Sequence, residues 1–239
     1  PGTGKTLLAA ATAGNLDATF FNVKVSSLLS KYFGESTKLV SALYSVARRL
    51  APAVIFLDEF ESLTPARGSG ESGAERRIIS TLLAELDGLQ GKSDNAFVLT
   101  IAATNMPWLL DLAILSRFQK RIYVPLPDDD ARRAILEIQL TKRGFKSQLD
   151  MQTLVNKTKG FAGREIEQFC IIAINNMVRR KNPDILETAN RGLKEISEYQ
   201  IKLEELTEED FALASSQVRP VTDEKRLVQF TNWGKDIQE

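Results

Sequence analysis

Three short segments hold residues whose types and order suit phosphate chemistry. The chain opens Pro1-Gly2-Thr3-Gly4-Lys5-Thr6, of which Gly2 to Thr6 match the last five positions of the phosphate-binding pattern GxxxxGK[ST]. Glycines let backbone N–H groups curl around an anion, and a helix starting at Lys5 aims its positive dipole end at the same point. On this reading Lys5 reaches the β and γ phosphates of a nucleotide and the Thr6 hydroxyl serves Mg2+. Gly2, Thr3, Gly4 and Leu7 complete the cradle. The first glycine of the pattern, and the strand that should lead into it, fall before Pro1. The chain therefore reads as an N-terminally truncated fragment with an incomplete cradle.

The second segment is Val54-Ile55-Phe56-Leu57-Asp58-Glu59, an apolar run ending in two acids. Asp58 suits the holder of a Mg2+-bound water, and Glu59 suits a general base for the attacking water. The third is Ala102-Ala103-Thr104-Asn105, directly after another apolar run. Asn105 either touches the γ-phosphate or lytic water or simply forms a turn, a common role for Asn.

Composition narrows the chemistry further. The chain has no histidine, which removes Ser-His-Asp and Cys-His hydrolases, HExxH zinc proteases and any His-ligated metal site. Lys plus Arg and Asp plus Glu both number 31, so there is no basic excess of the kind a general nucleic-acid binder carries. A single cysteine, Cys170, forms no internal disulfide and fits a reducing, cytoplasmic setting. No apolar run approaches the roughly 18 residues of a membrane span.

The elements that must position these residues follow from periodicity. Residues 1–127 alternate strand-like runs (19–24, 54–57, 97–102 and 121–124) with helical segments at 6–13, 35–50 and 74–87. In the helix at 35–50, apolar Leu39, Leu43, Val46 and Leu50 share one face; in the next, Ile78, Leu82 and Leu86 recur at a spacing of four. That is the pattern of a parallel α/β sheet. Residues 128–239 read as helices only, at about 130–143, 151–157, 164–181, 208–217 and 223–235, with a short extended piece at 199–203. The expected fold class is α/β: a P-loop large domain over 1–127, then a small all-α domain over 128–239.

Pro1 to Thr6, Val54 to Glu59, Ala102 to Asn105 and Ser116-Arg117-Phe118, in that order, resemble the AAA family of ATPases. Ser30 to Ser36, Ala103 to Trp108 and Lys120 to Pro127 are similar to the branch holding katanin, spastin and the ESCRT-disassembling ATPase. The resemblance implies ATP and Mg2+ as ligands, Asn105 as the first sensor, and Arg117 as a finger reaching a neighbouring subunit's γ-phosphate. Relatives usually carry two arginines before the phenylalanine, and here Ser116 takes the first place. Tyr32, within Lys31-Tyr32-Phe33-Gly34, matches the aromatic of a pore loop that grips extended polypeptide. Residues 68–73 match a second pore loop in position, or are simply a flexible glycine-rich loop. Gly163 and Arg164 match the start of the second-sensor helix, where Arg164 either reaches the γ-phosphate or faces solvent.

The resemblance thus implies a homo-oligomeric ring, a hexamer, that couples ATP hydrolysis to remodelling or unfolding a protein substrate. It implies no nucleic-acid partner and no integral membrane segment. Two rivals stay open: a nucleic-acid motor or clamp loader on the same fold, and a catalytically inactive ring module. Microtubule severing, filament disassembly, membrane-protein extraction and general unfolding all remain open as tasks.

Overall fold

A computed structural model of the chain describes residues 1–29, 35–63, 73–91, 96–192, 194 and 197–236. The chain divides into two compact units. One, the sheet unit, begins at Gly4, runs to Tyr123 and takes in the chain again from Phe230. The other, the helical unit, comprises Pro1–Thr3 and Val124–Gln229.

In the sheet unit, β1 (Thr19–Lys24), β2 (Ala53–Asp58) and β3 (Val98–Ala102) form a parallel sheet in that order. β2 lies in the middle, and Ala53 to Leu57 are fully buried. Its side chains alternate between two cores, as a period of two requires. Ala53, Ile55 and Leu57 join Tyr44, Ala47, Ile78, Leu82 and Leu86 on one face. Phe56 joins Ala9 and Ala103 on the other. Helices therefore cover both faces, the usual condition for a parallel sheet. They are α1 (Lys5–Asn15), the short α2 (Val25–Leu29), α3 (Ser36–Arg49) and α4 (Gly73–Gly91). α5 (Leu112–Leu115) starts at Asp111, whose carboxylate accepts from the Ile114 N–H at 2.7 Å.

Two sequence expectations fail here. The inward stripe of α3 is Ser36, Val40, Tyr44 and Ala47, whereas Leu39, Val46 and Leu50 are exposed and Leu43 is half-buried. Small Ala47 lets the helix approach β2, and Tyr44 reaches through the core to share a 3.3 Å hydrogen bond with Thr100. Residues 121–124 form no strand. A strand exists only in a ladder, and among the described residues none pairs with this run; Ile122 is left 65% exposed. The Trp108 ring packs on Phe230, with centroids 5.1 Å apart.

The helical unit holds α6 (Asp129–Gln139), α7 (Met151–Lys157), α8 (Gly163–Lys181), α9 (Ile185–Arg191) and α10 (Glu208–Gln217), and leads into α11 (Glu224–Asp236). Asp128 and Asp150 cap α6 and α7, each accepting a backbone N–H at 2.8 Å. The core gathers Leu136, Phe161, Phe169, Met177 and Phe211 around α8. Phe169 and Phe211 stack with centroids 5.5 Å apart. Residues 199–203 are not a strand. Buried Asn182 anchors that stretch instead, donating to the Val178 and Lys202 carbonyls and accepting from the Lys202 N–H. A single bridge joins Ser147 and Leu206. Among the described residues no helix is long and apolar enough to cross a membrane.

Candidate functional site

All three strands run parallel, so their carboxyl ends share one edge of the sheet. There Lys24 stands in register with Asp58, and Leu57 with Ala102. Open α/β sheets bind ligands at this edge. Lys5, Asp58 and Asn105 meet at it.

α1 begins beside this edge. Gly4 is its N-cap at φ +88°, a left-handed conformation that glycine adopts at little cost. No side chain caps the helix and its first turn holds no acid. The first-turn N–H groups thus present their dipole end with no competing carboxylate on that turn. Thr6 and Leu7 are exposed there.

Lys5 is tied to the strand ends. Its ammonium donates to Asn105 Oδ1 at 2.7 Å. Burial pushes its pKa below the ordinary lysine value, while the Asp58 and Glu61 carboxylates pull the other way. Asn105 is held in turn by its N–H, which donates to Glu61 Oε1 at 3.3 Å. The structure therefore brings Lys5, Asp58 and Asn105 together, as the sequence order alone could not show. It adds Glu61, two residues beyond Glu59 in a 3-10 turn spanning Phe60–Leu63.

Glu59 is turned elsewhere. Its φ is +55°, unusual for a residue with a Cβ, and its N–H donates to Asp58 Oδ1 at 2.9 Å. Its carboxylate accepts from Lys24 Nζ at 3.1 Å and Ser26 Oγ at 3.3 Å. Arg117 also has a local partner, again unforeseen. Its guanidinium forms a two-pronged pair with Asp87 at 3.0 and 3.1 Å and donates to Ser116 Oγ at 3.0 Å. Phe118 beside it packs edge-on to buried Phe60, centroids 5.6 Å apart, which fixes where the arginine leaves the chain. Lys24, Ser26 and Asp87 carry no motif, so the sequence offered no signal for them.

In the helical unit, Gly2 has φ +71°, and its carbonyl accepts from the Arg164 N–H at 3.2 Å. A Cβ on Gly2 would lie 3.0 Å from the Arg164 Cβ, a tight approach at a φ that strains any other residue. Glu165 reaches back to the Ala162 N–H at 2.6 Å and fixes the start of α8, where Gly163 and Arg164 sit. Lys31, Tyr32, Phe33 and Gly34 lie outside the described residues, as do residues 68–72; Gly73 opens α4.

The residues fit a magnesium nucleotide in kind. Among the described residues no three His, Cys, Asp or Glu side chains cluster to hold a metal. Mg2+ ordinarily keeps its waters and takes one or two protein ligands plus phosphate oxygens. One hydroxyl, Thr6, and one strand-end carboxylate, Asp58, meet that demand.

Residues 1–126 match the family described as ATPase family associated with various cellular activities (AAA). The chain is 40% identical to Katanin p60 ATPase-containing subunit A1 of Strongylocentrotus purpuratus, covering 99% of this chain and 46% of that protein. It is 38% identical to Meiotic spindle formation protein mei-1 of Caenorhabditis elegans, covering 98% and 49%. It is also 38% identical to Spastin of Bos taurus, covering 99% and 37%. The chain thus spans half or less of the length of these relatives. Among solved structures, the FIGL-1 AAA domain in complex with ADP is similar at a TM-score of 0.81 and 36% identity. That match covers 99% of this chain and 75% of that one.

Proposed function

The chain belongs to the AAA family of ATPases, and from that membership we propose that it hydrolyses ATP to remodel a protein substrate. One observation carries the proposal. Lys5, at the uncapped start of α1, is bonded to Asn105 and sits in the field of Asp58. A cation, a strand-end carboxylate and a polar amide at one helix N-terminus form a receptor for a metal-bound phosphate chain. The FIGL-1 AAA domain, similar over nearly this whole chain, is solved with ADP.

In the proposed mechanism Gly2, Thr3, Gly4, Thr6 and Leu7 present backbone groups to the phosphates, and Lys5 pairs with the β and γ oxygens. Thr6 and Asp58 would hold the magnesium, which would supply positive charge to offset that of the phosphates. Glu59 takes the proton of the attacking water, and Asn105 holds that water or the γ-phosphate. Gly163 and Arg164 are assigned further nucleotide contacts, through the backbone at the start of α8. Arg117 acts in trans: it leaves Asp87 and meets the γ-phosphate of a neighbour in a homo-oligomeric ring, a hexamer. Lys31, Tyr32, Phe33 and Gly34 grip polypeptide in the ring's centre.

The test is ATP hydrolysis per subunit across protein concentration, with Glu59→Gln and Arg117→Ala alongside. Expected is a rate that rises as rings form, falls about 10²–10⁴-fold on loss of the general base, and drops strongly without Arg117. A rate independent of dilution and of Arg117 overturns the ring mechanism. Absence of ATP binding in the wild-type protein supports the inactive module.

A further inference from the structure

The stretch leading into α10 is extended without belonging to a ladder. Its even-numbered residues are tied inward. The Lys202 N–H donates to Asn182 Oδ1 at 2.9 Å, the Glu204 N–H points to Met177 Sδ at 3.4 Å, and the Leu206 N–H donates to the Lys146 carbonyl at 2.9 Å. Bonds on every second residue mark an extended backbone with one edge engaged. The odd-numbered residues therefore turn their backbone groups the other way. Among the described residues, the N–H groups of Ile201, Leu203 and Glu205 and the carbonyls of Ile201 and Leu203 make no hydrogen bond. The Ile201 and Leu203 side chains are also 55% and 62% exposed. An open row of donors and acceptors beside exposed apolar side chains is a template for another strand.

We infer that residues 201–205 are a docking edge for an extended segment of a partner protein, one that alternates apolar with basic residues. Main-chain bonds to 201, 203 and 205 supply the grip, and side chains laid beside Ile201 and Leu203 add apolar contact. Charge selects the partner. Residues 198–209 hold Glu198, Glu204, Glu205, Glu208 and Glu209 against one base, Lys202. Arg180 and Lys181 pair with Glu204, while the other four acids are exposed and have no ion pair among the described residues. A second copy pairing edge to edge would bring these acids against their own kind, whereas a basic strand complements them. The edge belongs to the helical unit, and its use requires no nucleotide chemistry.

The probe is a synthetic peptide alternating valine and lysine, acetylated and amidated, titrated into the full protein by calorimetry with amide hydrogen exchange followed alongside. Expected is saturable binding that weakens with added salt and slows exchange within residues 201–205. Leu203→Pro deletes an N–H that the fold leaves unused and keeps Lys202 extended. It should retain the wild-type unfolding midpoint yet weaken binding about tenfold, the equivalent of one good hydrogen bond. Leu203→Ser, which keeps the backbone intact, should weaken binding roughly three- to tenfold through lost apolar contact. A peptide alternating valine and glutamate should not bind. No binding of the lysine peptide, or binding that ignores both Leu203 substitutions, overturns the docking edge. Protection at 201–205 that grows with protein concentration and needs no peptide overturns it too, and assigns the edge to a second copy.

Discussion

Two glycines of α1 separate the role of backbone conformation from the role of side-chain contact. Gly4 caps the helix at φ +88°, and a Cβ added there would meet nothing within 4 Å. The cost of Gly4→Ala is therefore conformational alone. A left-handed alanine costs about 1–2 kcal/mol, and the stiffer unfolded chain returns about 0.4–1 kcal/mol. The net expectation is a loss of about 1 kcal/mol. Gly14 lies in the last turn of the same helix, also with nothing within 4 Å of an added Cβ. It has no positive φ, so Gly14→Ala should gain about 0.5–1 kcal/mol from helix propensity. The two variants make the same chemical change and should differ by roughly 1.5–2 kcal/mol of opposite sign. Urea unfolding of nucleotide-free protein, followed by far-UV circular dichroism, reads the difference as a midpoint shift at constant slope. Equal midpoints, or a Gly4→Ala variant more stable than Gly14→Ala, would refute the assignment of a left-handed cap at Gly4.

Two further predictions concern the cores. Burial pushes the Tyr44 hydroxyl from 10.0 up to about 12, so the folded chain holds its proton where the unfolded chain has lost it. The contribution of Tyr44 to stability is complete below pH 10 and disappears between about 10 and 12. Tyr44→Phe should flatten that part of the pH–stability curve, at a cost of about 0.5–1.5 kcal/mol near neutrality for the lost bond to Thr100; an unchanged alkaline slope would contradict the burial. Phe211→Ala should destabilise the helical unit by about 3–5 kcal/mol, since the ring is fully buried against Phe169. Limited proteolysis should then cut first within residues 124–229, and cleavage confined to residues 4–123 would contradict the placement of that core.

The elements were legible wherever local pattern and long-range packing agreed. Met151–Lys157 and Glu208–Gln217 stand where the periodicity places them, each opened by a capping side chain that the sequence itself supplies. β2 reads as buried because an uninterrupted apolar run has no other refuge. The helix at α3 shows the limit. Leu39, Leu43, Val46 and Leu50 make as good a stripe as Val40, Tyr44 and Ala47, and only the fit against β2 chooses between them. The run at 121–124 shows another limit, since β-propensity becomes a strand only beside a partner.

The side chains proposed for catalysis divide along the same line. Local motifs picked out Lys5, Asp58, Glu59 and Asn105, because glycine spacing, strand-end acids and a strand-end amide are local features of the chain, and the family resemblance added Arg117. Their partners were not local. Lys5 meets Asn105 across 100 positions of sequence, Glu59 meets Lys24 across 35, and Arg117 meets Asp87 across 30. A hydrogen bond over such a distance is set by the register of parallel strands and the docking of helices. Sequence therefore named the candidate residues, while the fold alone decided that Glu59 rests on a lysine and Arg117 on an aspartate.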